Sequence, residues 1–162
     1  MAYHRHKFAL FEDGFNCHWK ECVQFRCWVT FDKSHVTGWY HSPIMQGPDP
    51  KPIHTGVTIH SLAITHGELA SYQLHVLVFG GKSDEDLGMR TNHTGIQKWV
   101  NLLLLMLDDF IGNGHCVMMD SAYMGDIMAM IGHNVWGINM VGTEQPNHVG
   151  ANITDHISKL KK

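Results

Sequence analysis

Two aspartates occupy matching settings in this chain. Asp32 closes the apolar run Cys27-Trp28-Val29-Thr30-Phe31, and Asp120 closes the apolar run Cys116-Val117-Met118-Met119. Runs of this length read as short buried strands, so each carboxylate is expected where a strand stops. Two such strands lying side by side bring both acids to one edge of a sheet. Carboxylate oxygens placed in this way suit Mg2+ or Mn2+, which prefer oxygen ligands. Pairs of such ions serve phosphodiester displacement. Asp32 and Asp120 are therefore candidate metal ligands and catalytic acids. The bland alternative is that each forms a turn or caps a helix, as Asp120-Ser121 ahead of a helix would also fit. The arrangement of the elements decides between these readings.

That arrangement can be read from periodicity. Phe8, Phe11, Phe15 and Trp19 recur at helical spacing and predict a first helix with an aromatic core stripe, interrupted by Gly14. A strand over 27–32 follows, then a Gly- and Pro-rich loop that includes Gly47-Pro48-Asp49-Pro50-Lys51-Pro52. Strands over 57–66 and 71–79, separated by Gly67-Glu68, read as a hairpin. Residues 95–111 form an apolar helix with Thr94 as its cap and Gly112-Asn113-Gly114 as its stop. It is apolar enough to be buried on more than one side. A strand over 115–120, a helix over 123–132, a strand over 134–142 and a short helix near 153–161 complete the order. Three antiparallel strands followed by α-β-α-β predict an α/β fold with a mixed sheet flanked by helices. The apolar helix carries the fourth strand across to lie beside the first, which sets Asp32 next to Asp120. This is the layout of a ribonuclease H-like fold.

Other reactive groups form no comparable set. Cys17, Cys22, Cys27 and Cys116 include no C-x-x-C pair, so structural zinc is not expected, and the four read as buried free thiols. His54, His60, His66 and His75 are spread over strands and loops and read as separate residues. Gly80-Gly81-Lys82-Ser83 lacks the spacing of a phosphate loop and reads as a turn. Asp108 and Asp109 end the apolar helix and are expected to face solvent. Trp39, Tyr40 and His41 are suited equally to DNA contact and to packing.

The 162 residues suffice for one domain with a core, and 44% apolar content argues against disorder. The longest apolar run, Leu102 to Leu107, is too short to span a bilayer, and the start lacks the apolar stretch of a secretory signal. No membrane partner is expected. The formal net charge of −3, with fourteen histidines counted as neutral, counts against tight nucleic-acid binding by this chain alone.

Several ordered stretches resemble the catalytic domain of piggyBac-type transposases. These are Val29-Thr30-Phe31-Asp32-Lys33-Ser34, Gly38-Trp39-Tyr40-His41-Ser42, Pro50-Lys51-Pro52 with Gly56, and Gly112-Asn113-Gly114-His115-Cys116-Val117-Met118-Met119-Asp120-Ser121-Ala122-Tyr123. The resemblance covers roughly residues 8 to 145. It implies a helical lead-in over 1–26, a partial ribonuclease H-like catalytic domain over 27–145 that is incomplete at its C-terminus, and a polar tail or short helix over 146–162. It also implies that Asp32 and Asp120 are the first two of three metal-binding aspartates, with Mg2+ or Mn2+ as cofactor. Implied partners are DNA and either a full-length transposase or further copies of this chain, in the nucleus of a eukaryote or otherwise in the cytoplasm. Two departures stand out. Lys33 occupies a position where family members often carry glutamate, and the family's third aspartate lies further downstream, beyond an inserted segment. Within this chain Asp155 is the candidate for that role. With two acids, the chain is expected to be inactive alone. The alternatives are a non-catalytic module that binds DNA or protein, and a nuclease completed by Asp155.

Overall fold

The computed structural model describes residues 6–23, 28–38, 56–79 and 98–143. Its elements are α1 (His6–Cys22), β1 (Trp28–Thr37), β2 (Gly56–Ile64), β3 (Gln73–Val78) and α2 (Lys98–Leu107), which a 3-10 turn (Asp108–Phe110) continues. Then come β4 (Cys116–Met119), α3 (Asp126–Ile131) continued by a π-helical turn (Gly132–Trp136), and β5 (Asn139–Gly142). The strands form one sheet in the order β3-β2-β1-β4-β5. The pairs β1–β2 and β2–β3 are antiparallel, and β4 runs parallel to both β1 and β5. The expected mixed α/β sheet, with β4 seated beside β1, is present.

Pleating sorts the residues of β1 and β4 onto two faces. Val29 and Phe31 pair in register with Val117 and Met119, and all four are buried. Under them lie Leu102, Leu103, Met106 and Leu107 of α2, with Phe110 of the 3-10 turn. Leu104 and Leu105 also pack against this core, so α2 is buried on more than one side. The alternate positions behave differently. Trp28 and Met118 remain 41% and 36% exposed, and Val141, opposite Met118 on β5, remains 45% exposed. One sheet face is thus the core, and the other carries an open apolar row.

The aromatic stripe predicted for α1 is not its core face. Phe11 is 59% exposed, and of Phe8, Phe11, Phe15 and Trp19 only Trp19 is fully buried, stacked on Phe110 at 5.7 Å. The inward stripe is instead Glu12, Asn16, Trp19 and Val23. The reason is the edge of the sheet. The Asn16 side-chain amide donates to the Val76 carbonyl at 3.0 Å, and its oxygen accepts the Val76 N–H at 2.8 Å. The Glu12 carboxylate accepts the Val78 N–H. Residues four apart on a helix are separated by about 6 Å and residues two apart on a strand by about 6.7 Å. One helix face can therefore match the outward backbone groups of an edge strand. Unpaired edge groups are costly, and satisfying them sets the rotation of α1.

Other boundaries shift for local reasons. β1 does not stop at Asp32 but runs to Thr37, because β2 continues to pair with it as far as Thr37 opposite Gly56. Residues 134–136, read as strand, lie in the π-helical turn, and Gly137 ends that turn in the left-handed conformation at φ 62°. The apolar helix ends at Leu107, not at residue 111. Asp109 does not simply face solvent: it pairs with Lys20 at 2.7 Å and ties the 3-10 turn to α1. That hydrogen bond raises the Lys20 pKa. Cys116 is buried as expected, whereas Cys17 is exposed. Among the described residues no helix is long and apolar enough to cross a membrane.

Candidate metal centre

The parallel pairing of β1 with β4 ends at Phe31 opposite Met119. Asp32 and Asp120 are the next residues in sequence after this last pair. They fall on the exposed side of the pleat, with Trp28, Thr30 and Met118, and both are exposed. Asp32 lies mid-strand, but at the point where β1 loses β4 as its neighbour.

The two carboxylates are held in the same manner. The Asp32 Oδ1 accepts the N–H of Lys33 at 2.7 Å, and the Asp120 Oδ1 accepts the N–H of Ser121 at 2.6 Å. Among the described residues neither Oδ2 takes a hydrogen bond. One oxygen of each acid is therefore held by the backbone N–H of the next residue, and the other is not. The Asp120 carbonyl accepts the N–H groups of Tyr123 and Met124 at 3.0 and 3.1 Å, which builds the turn after β4. Asp120 is not the cap of α3, whose N-cap is Gly125. The simple helix-cap reading is thereby excluded for Asp120.

On the buried side, Tyr123 folds back under the sheet. Its ring meets Phe31 edge-on at 4.9 Å, and its hydroxyl lies 3.2 Å from Nδ1 of His60. Burial, followed by the negative charges of Asp32 and Asp120, pushes the Tyr123 hydroxyl pKa well above its ordinary value. The tyrosine keeps its proton, and the fields of both acids converge on it. Sequence reading gave Tyr123 and His60 no role. The available signal was Tyr123 three positions after Asp120, which a tight turn carries back toward the sheet.

Gly142 sets the far wall. It pairs with Met119, and a Cβ at Gly142 would stand 2.3 Å from the Met119 carbonyl oxygen. Gly142→Ala is expected to force β5 away from β4 beside Asp120 and to cost about 1–3 kcal/mol, read by urea denaturation. An unchanged midpoint would show that the strands separate freely there.

The remaining candidates separate. Asp155 lies outside the described residues, as do Trp39, Tyr40, His41 and His54. His75 lies 3.2 Å from the Met106 carbonyl, and His66 is exposed. Among the described residues no group of three His, Cys, Asp or Glu side chains could hold a metal. The site therefore offers two carboxylates. Two carboxylates do not by themselves form a complete cage for a hard divalent ion.

The strand order and the two helix-bearing connections define a ribonuclease H-like α/β fold. It is shared with the piggyBac transposase solved by cryo-electron microscopy as a synaptic complex with hairpin DNA: TM-score 0.65, 14% identity, 82% of this chain and 26% of that one covered. The chain thus spans about a quarter of the transposase's length, and at this identity the likeness is one of fold. No protein-family model and no curated protein matches the sequence.

Proposed function

We propose that this chain is a piggyBac-type transposase catalytic core in which Asp32 and Asp120 bind Mg2+ or Mn2+ for strand cleavage and transfer on DNA. The observation that carries this reading is the placement of the two aspartates, one residue beyond the last β1–β4 pair and held by matching backbone hydrogen bonds. The similar fold is that of a transposase in a complex with hairpin DNA. A bound divalent ion supplies Lewis-acid charge at the phosphate and at the oxygens that attack and leave. The protein's part is positional: Asp32 and Asp120 present exposed carboxylates at the end of the β1–β4 pairing. With two acids this chain is inactive alone and depends on a third ligand. That ligand comes from a longer parent chain, or from a full-length transposase or second copy as partner; Asp155 in that role would instead make the chain an active nuclease.

A thermal melt tests the reading. Mn2+ at a hundredfold excess over its Kd is expected to stabilise the chain by about 2.7 kcal/mol, and Asp120→Asn is expected to abolish the response. A cooperative melt indifferent to Mn2+ would sink the metal reading. It would favour a non-catalytic module that binds DNA or protein, for which the two-acid site already speaks. Metal-dependent nicking by the chain alone, lost in Asp32→Asn, would overturn the claim of inactivity. Its loss in Asp155→Asn would mark a ribonuclease H-like nuclease instead.

A further inference from the structure

We infer that Tyr123 and His60 are positioning residues whose buried hydrogen bond fixes the placement of the Asp32 and Asp120 carboxylates. This rests on the metal reading above for its consequence, though not for its geometry.

The pair joins the turn that follows Asp120 to the strand that pairs with Asp32. Tyr123 closes the turn that Asp120 opens, through its N–H to the Asp120 carbonyl. His60 sits on β2 opposite Lys33, with Ser61 next to it opposite Asp32. Their 3.2 Å contact passes beneath β1, so the loop after β4 is tied to the strand on the far side of Asp32. Rings fix both partners. Phe31 stacks on His60 at 5.8 Å and meets Tyr123 edge-on, and Trp99 meets Tyr123 edge-on at 5.5 Å. His60 is 1% exposed. A polar contact within an apolar box has one geometry available, because breaking it strands a buried donor or acceptor. The Tyr123 hydroxyl and Nδ1 of His60 share one hydrogen bond, whose direction follows the imidazole tautomer. Groups that orient metal ligands from behind commonly change affinity 10–100-fold when removed.

The test is made on the 162-residue chain. Tyr123→Phe removes one oxygen and keeps the ring. Two quantities are read: the backbone amide resonances of Lys33 and Ser121, whose N–H groups the two carboxylates hold, and the Kd for Mn2+ by calorimetry. The expected result is an upfield movement of both amide protons and an increase in Kd of about tenfold. If Tyr123→Phe loses its cooperative melt, His60→Phe and His60→Asn take its place. His60→Asn keeps a hydrogen-bonding group, donor or acceptor, where Nδ1 stands and should retain the amide positions that His60→Phe loses. Unmoved amide resonances overturn the inference, as does an unchanged Kd in a chain that binds Mn2+. A parent chain that fails to bind Mn2+ overturns the metal reading instead, and the amide resonances still decide the role of the pair.

Discussion

Phe31→Ala is expected to destabilise the chain by about 3–5 kcal/mol, while Phe11→Ala is expected to stay within about 0.5 kcal/mol. Both are phenylalanines in regular elements, and the sequence alone gives each a core role. Phe31 is 1% exposed, stacked on His60 and met by the edge of Tyr123. Its removal takes away the transfer energy of a ring and leaves a cavity that a β-sheet cannot collapse to fill. Phe11 touches Phe15 at 6.0 Å but faces water. A domain of this size is stable by about 5–15 kcal/mol, so Phe31→Ala removes a large share of the total. Urea denaturation of the two variants side by side is the measurement. Equal losses would show that the aromatic face of α1 is buried after all. A small loss in Phe31→Ala would show that the floor of the acid pair is loosely packed.

Asn16→Ala is expected to cost about 2 kcal/mol, although it deletes a polar side chain from a helix and improves helix propensity. The variant leaves both the N–H and the carbonyl of Val76 without their partners. An unmet buried backbone group costs about 1–3 kcal/mol, and the gain from alanine in a helix is only about 0.5 kcal/mol. The sign is therefore destabilising. The same variant should raise the hydrogen-exchange rate of the Val76 amide more than that of the β2 amides, which keep their strand partners. A neutral or stabilising effect would mean that water reaches Val76 as readily as Asn16 does.

What could be read from the sequence was the part written in period. The alternation through β2 and β3, the apolar run of α2 and the paired Phe31-Asp32 and Met119-Asp120 endings gave the element order and the adjacency of the acids. The rotation of α1 could not be read, because its buried face includes Glu12 and Asn16, and pattern reasoning sends such residues to solvent. Tertiary pairing with an edge strand overrides the amphipathic rule. The Asn134-Val135-Trp136 stretch was misread as strand because a π-helical turn has no period of its own to recognise. Tyr123 and His60 remained silent because a hydrogen bond between residues 63 positions apart leaves no mark in local sequence.

The hydrogen bonds from α1 to β3 also limit how these molecules can associate. An open-ended β-sheet polymer needs two free strand edges on every unit, one to accept a neighbour and one to offer. Glu12 and Asn16 occupy the β3 edge at Val76 and Val78, so the described sheet brings at most one free edge, on the side of β5. Strand addition through the described sheet then stops at a two-fold pair, β5 against β5, and does not propagate into a fibre.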